Sequence, residues 1–128
     1  MHNESDNYLN ELHAIAERVK VSIINLIEKL GGKICMKYYT TETDCDRYTF
    51  YDTDTEGFGI AYFVDEIFTD GGKPYFKLSD GEDCYETEWS LDDFNANDLV
   101  YLLIELESVA NYIEENGEEI VTEYPDYA

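Results

Sequence analysis

A two-layer α+β domain, with a five-stranded antiparallel meander and two long helices packed on one face, is the fold class this sequence predicts. Three observations carry that expectation. Helical stripes of apolar residues occur near both ends of the chain, and a middle region alternates with period two between short polar turns. The strand pairings that suit the turns also keep one apolar face. A length of 128 residues suits a single domain over 1–128, and the 44% hydrophobic and 15% aromatic content is that of a chain able to build a core.

The first helix is expected over 8–30. Leu12, Ile15, Ala16, Val19, Ile23, Leu26, Ile27 and Leu30 recur at steps of three and four, which aligns them along one side of a helix. Gly31 and Gly32 supply its stop, and Lys29 in the last turn suits the helix dipole. Period two then sets in, so 34–39 reads as a strand, with Ile34, Met36 and Tyr38 on one face. A polar connection leads to a second strand over 47–51. Pairing Tyr38 with Tyr48 sets Met36 opposite Phe50.

The third strand is the apolar run 58–68, expected to pair Tyr48 with Ile60 and Phe50 with Phe58. Turns rich in Asp and Gly separate it from strands over 75–79 and 84–89, with Tyr85, Thr87 and Trp89 set opposite Leu78, Phe76 and Pro74. The last helix begins after Asn95, an N-cap residue with Asp98 three positions on, and ends at Asn116 and Gly117. Leu99, Leu102, Leu103, Leu106, Val109, Ala110 and Ile113 form its stripe.

Charge is the strongest chemical signal. Thirty Asp and Glu stand against eight Lys and Arg, a formal net charge of −22, and after residue 77 there are 16 acids and no basic residue. Such a field repels nucleic acid and anionic lipid and attracts basic protein surfaces. No direct nucleic-acid or membrane partner is expected. The N-terminal stretch has no secretory pattern, no apolar run is long enough for a membrane span, and the three cysteines are sparse for a disulfide framework, so a cytoplasmic setting is expected.

No catalytic constellation is apparent, and a non-enzymatic protein with no cofactor is expected. His13 is the one histidine inside an expected element, no phosphate-binding glycine loop occurs, and carboxylate pairs carry no information among so many acids. Zinc spacings are missing and His2 stands at the terminus. Asp52, Asp54, Glu56 and Gly57 echo the opening of a calcium loop, but Phe63 stands where its twelfth residue would be Glu, so 52–57 reads as an acidic turn.

Two surfaces are left as binding candidates. Asp98 and Glu105 form one outward row on the last helix, Glu107 and Glu114 another, and Glu86 and Glu88 project together from the last strand. Their spacings approximate neighbouring phosphates, which implies an acidic partner-binding protein, an inhibitor or immunity-like nucleic-acid mimic that blocks a basic protein surface. The second surface is an aromatic outer sheet face of Tyr39, Tyr51, Phe63, Ile67 and Tyr75. It implies the alternative, a small structural or regulatory adaptor that self-associates as a homodimer. A metal-dependent hydrolytic enzyme is the third reading.

Overall fold

The computed structural model describes residues 4–82, 84–117 and 119–125, with side chains from residue 10 onward. His2 lies outside the described residues. The elements run α1 (Glu4–Lys29), α2 (Met36–Glu42), β1 (Phe50–Thr53), β2 (Gly59–Asp70), β3 (Lys73–Ser79), β4 (Glu86–Ser90), a 3-10 turn (Leu91–Asp93) and α3 (Ala96–Asn116). The strands form one antiparallel sheet in the order β1-β2-β3-β4, curled into half a barrel.

This corrects the expected fold: four strands replace five, and a third helix stands where the first strand was read. Only Ile34 keeps a strand-like role, exchanging two 2.9 Å hydrogen bonds with Ile67 of β2. From Met36 the chain coils instead. In a window of six residues the apolar positions satisfy both periods, because Met36 and Tyr39 also share one side of a helical turn. Both are buried there, and the hydroxyls of Thr40 and Thr43 donate to the carbonyls of Met36 and Tyr39. The backbone left free at Cys35 is taken up by the C-terminal segment: Cys35 N donates to Val121 O at 2.8 Å, and Val121 N donates to the Tyr39 hydroxyl at 2.9 Å.

Two registers also differ from expectation. Phe50 pairs with Tyr62 rather than Phe58, a slip of four residues, and Trp89 pairs with Phe76 rather than Pro74, a slip of two. Even slips leave every side chain on its original face. Phe50, Ile60, Phe76 and Trp89 accordingly join the core, with Met36 reaching in from α2. A bulge between Val64 and Glu66 has the opposite consequence. The extra residue, Asp65, reverses the alternation, so Ile67 turns inward and is fully buried.

The helix ends follow the sequence closely. Gly31 and Gly32 adopt φ of +90° and +83°, and Gly32 N returns to Ile27 O at 2.9 Å, which closes α1. Asn95 caps α3 through a 2.8 Å bond from Asp98 N, and Gly117 ends it at φ +59°. Phe94 sits at the centre of the aromatic packing, edge-on to Phe50, Phe76 and Trp89 at centroid distances of 5.4, 5.2 and 5.0 Å. α1 lies against α3, and their buried stripes complete the same core.

Candidate functional site

The C-terminal end of α2 and the strand-free segment after it run beside α3, and two α3 side chains staple that segment down. Glu105 Oε1 accepts from Tyr48 N at 2.7 Å, and Ser108 Oγ accepts from Asp46 N at 3.0 Å. Spaced three apart on α3, the two staples share one side of the helix. Between the segment and the helix opens a groove of about 660 Å³. Glu42, Asp44 and Asp46 line one wall and Glu107 and Glu115 the other, with Cys45, Ser108, Asn111 and Tyr112 at the floor and sides. Among the described residues, no Lys, Arg or His lines it.

A second groove, of about 600 Å³, lies on the open side of the sheet. Glu86 and Glu88 line it together with Asp65 and Glu66, but here the fold supplies Lys37 and Lys77 as well. Lys77 Nζ stands 3.5 Å from Glu66, and Ser79 donates to Asp65 at 2.5 Å. The two grooves meet at the C-terminal segment, where the Tyr124 hydroxyl donates to Glu42 at 2.7 Å and the Lys37 ammonium lies 5.1 Å from the Tyr124 ring centroid.

The structure redistributes the acidic residues singled out in the sequence. Glu107 faces the first groove, Glu86 and Glu88 the second, and Glu114 is exposed but lines neither. Asp98 is half-buried at the start of α3, where loss of solvent pushes its carboxyl up, and it borders a hollow of about 190 Å³ with Tyr51 and Asp93. Glu105 corrects the expected outward row, being 1% exposed. Desolvation pushes its carboxyl up to about 8, against the Tyr48 hydrogen bond and the Arg47 charge, which act downward; Oε2 has no hydrogen-bond partner among the described residues. It serves the groove from behind, as the anchor of Tyr48.

The aromatic sheet face is also corrected. Tyr39 and Ile67 belong to the core, the first because 36–42 is helical and the second because of the bulge. Tyr51 remains exposed, while Phe63 and Tyr75 are half-buried. Two basic side chains lie over rings on this part of the sheet: the Arg47 guanidinium is 3.6 Å from the Phe63 centroid, and the Lys77 ammonium is 5.4 Å from that of Phe68, which stacks on Tyr75. Aromatic and basic side chains thus shield one another across the sheet, which engages two of the eight basic residues there.

Reading by sequence missed Glu42, Asp44, Asp46 and Glu115. The first three stood in a segment taken for a hairpin connection, where the density of acids was the available signal. Glu115, not the Glu114 of the expected row, turns toward the groove.

Metal-ligating candidates fall elsewhere. In the 52–57 turn, Asp54 Oδ1 accepts from Glu56 N and Phe58 N, both at 2.9 Å, so this carboxylate closes the β1–β2 hairpin. Among the described residues, Asp80, Glu82 and Cys84 bring ligand atoms within 4.8 Å of one another at the β3–β4 connection. There too Asp80 Oδ1 is engaged by backbone, accepting from Glu82 N at 3.0 Å and Cys84 N at 3.2 Å. Cys35, Cys45 and Cys84 form no disulfide, and burial pushes the Cys35 thiol up. No helix among the described residues is long and apolar enough to cross a membrane. Comparisons with protein-family models, with curated proteins and with solved structures return no match.

Proposed function

We propose that the protein is a non-catalytic binder of a basic protein surface, and that the groove between the 42–46 segment and α3 receives a Lys- or Arg-bearing segment of the partner. One observation carries this reading: among the described residues, five carboxylates line both walls of the groove and no basic side chain lines it. No basic side chain among the groove's described lining residues offsets their mutual repulsion, so a cationic segment relieves it on binding and is steered to it from a distance. Partners with such surfaces include proteins that hold nucleic acid, and covering their Lys- or Arg-bearing segment makes this chain an inhibitor of nucleic-acid access. Three unpaired cysteines fit a reducing, cytoplasmic setting for that role.

Capture of basic proteins from a native lysate, followed by calorimetric titration of each captured protein, tests the reading. The quadruple variant Glu42→Gln, Asp44→Asn, Glu107→Gln, Glu115→Gln should bind about tenfold or more weaker, with a shallower dependence on salt. Double-stranded nucleic acid should compete for the captured partner. Equal affinity and equal salt slope for the variant would reject the groove as the binding surface.

A further inference from the structure

The apolar stripe of α1 is longer than the core it serves. Its C-terminal part is buried, with Ile23, Ile27 and Leu30 at 0%, 1% and 5% exposure. Two turns earlier, Leu12 and Ile15 are 51% and 47% exposed, although they project from the same arc of about 80° as Val19 and Ile23. The reason is length. Lys20 reaches Asp92, in the turn just ahead of α3, at 3.0 Å, and the end of α3 lies beside α2, where Tyr112 meets Tyr39 at 5.9 Å. α3 therefore runs alongside the C-terminal part of α1, and the helix upstream of about residue 16 extends beyond it.

Isolated exposed apolar residues are ordinary, but a stripe that continues straight out of a core is an unfinished helix interface. Its margin shows what completes it. Glu11 and Arg18 lie two turns apart on one flank of the stripe, next to Ile15, and neither has an ion-pair partner among the described residues. In an antiparallel pairing of two such helices, Glu11 of each copy falls opposite Arg18 of the other. This is the reciprocal contact that a two-fold axis requires. The sequence of α1 carries five acidic against three basic residues, whereas the chain after residue 77 carries 16 acids and no basic residue, so two copies of a −22 chain meet with less repulsion at α1 than at their acidic C-terminal part.

We propose that the chain forms a homodimer through α1, paired antiparallel with α1 of a second copy about an axis near Ala14. Leu12 and Ile15 of each copy form its apolar centre, with Val19 at their border, and two reciprocal Glu11–Arg18 pairs set its register. This surface is separate from the acidic groove and from the sheet face. Salt also acts on it in the opposite sense: screening the repulsion between two anionic bodies tightens the dimer, whereas it weakens the attraction of the groove for a basic partner.

Sedimentation of the full chain across salt concentrations tests the dimer. The expected mass is twice 14.9 kDa at high salt, with dissociation into monomers as salt is lowered. Ile15→Asp should weaken association by about a hundredfold or more, since each change acts twice, and should leave the thermal midpoint near that of wild type because the site lies outside the core. Should this variant misfold, Leu12→Ser reads the same surface. Glu11→Arg alone should weaken the dimer by bringing like charges together, and adding Arg18→Glu should restore it. A wild-type chain that stays monomeric at high salt and high concentration overturns the proposal. So does a dimer that ignores Ile15→Asp, or one that the double exchange fails to restore. Cosedimentation of the monomer with phosphatidylcholine vesicles would instead make the stripe a lipid contact.

Discussion

The two sides of α3 use the same kind of residue to opposite ends. On the inner side Leu99, Leu102, Leu106 and Val109 are buried, and the one carboxylate among them, Glu105, has lost its solvent. On the groove side Glu107 and Glu115 keep theirs. Two residues along a single helix thus separate a carboxyl whose charge opposes folding, Glu105, from one that stands in solvent on the groove side, Glu107. What distinguishes them is the 46–48 segment laid over Glu105, which supplies one backbone donor and excludes water.

The largest effect should come from the inner side without touching a charge. Leu106→Ala empties a site of 0% exposure beneath the sheet and should cost about 2 to 5 kcal/mol by urea unfolding. Ile104→Ala, one turn edge away and exposed, should cost less than about 1 kcal/mol. Similar losses at the two positions would mean that the groove side of α3 is covered by something else.

Glu105→Gln sharpens the comparison next. The carboxyl sits at about 8 in the folded chain and near its ordinary 4.5 when unfolded. Between those values the unfolded state has released the proton that the folded state keeps, so wild-type stability falls as pH rises, by about 1.4 kcal/mol per unit at most, and levels off on either side. Gln keeps the acceptor for Tyr48 N and removes the titration. The variant should match wild type near pH 5 within about 1 kcal/mol and exceed it at pH 8 by on the order of 3 kcal/mol. Parallel stability curves across that range would show that Glu105 is not held in a dry site.

How far the sequence discloses these features depends on how many residues each signal spans. α1 and α3 each repeat their apolar step over several turns and carry their own stops, Gly31 with Gly32 and Asn95 with Gly117, so their bounds can be read almost directly. The facing of Phe50, Phe76 and Trp89 was legible although their partners were not, because a slip of two or four residues preserves the alternation. Residues 34–39 offered too few positions to separate the periods, and the bulge at Asp65 is marked only by two adjacent acids, Asp65 and Glu66, in an otherwise apolar run over 58–68, too short a break to fix where the alternation reverses. At the site, acidity was legible as a total. Its placement was not: whether Glu105 or Glu107 meets water depends on a segment that approaches from nearly 60 residues earlier in the chain.

The smallest effect, and the one that bears most directly on function, concerns the groove carboxylates against those of the sheet. Glu107→Gln with Glu115→Gln removes two charges from a groove lined by acids and neutral residues and by no described basic one, so the folded state should gain slightly, with a thermal midpoint higher by about 2 °C at low ionic strength. Glu66→Gln on the sheet removes the partner of Lys77 at 3.5 Å, a surface pair of modest worth, so its midpoint should stay level or fall by a similar amount. Both differences should fade as salt rises, because every group involved is open to solvent and screened within about 8 Å at physiological ionic strength. The sign is the test. If the groove variant melts lower than wild type, its carboxylates already have a favourable partner within the fold, and the attraction assigned to the groove is spent before any basic surface arrives. If it melts higher, the wild-type groove holds repulsion in reserve, and a cation that binds there should raise the wild-type midpoint more than the variant's.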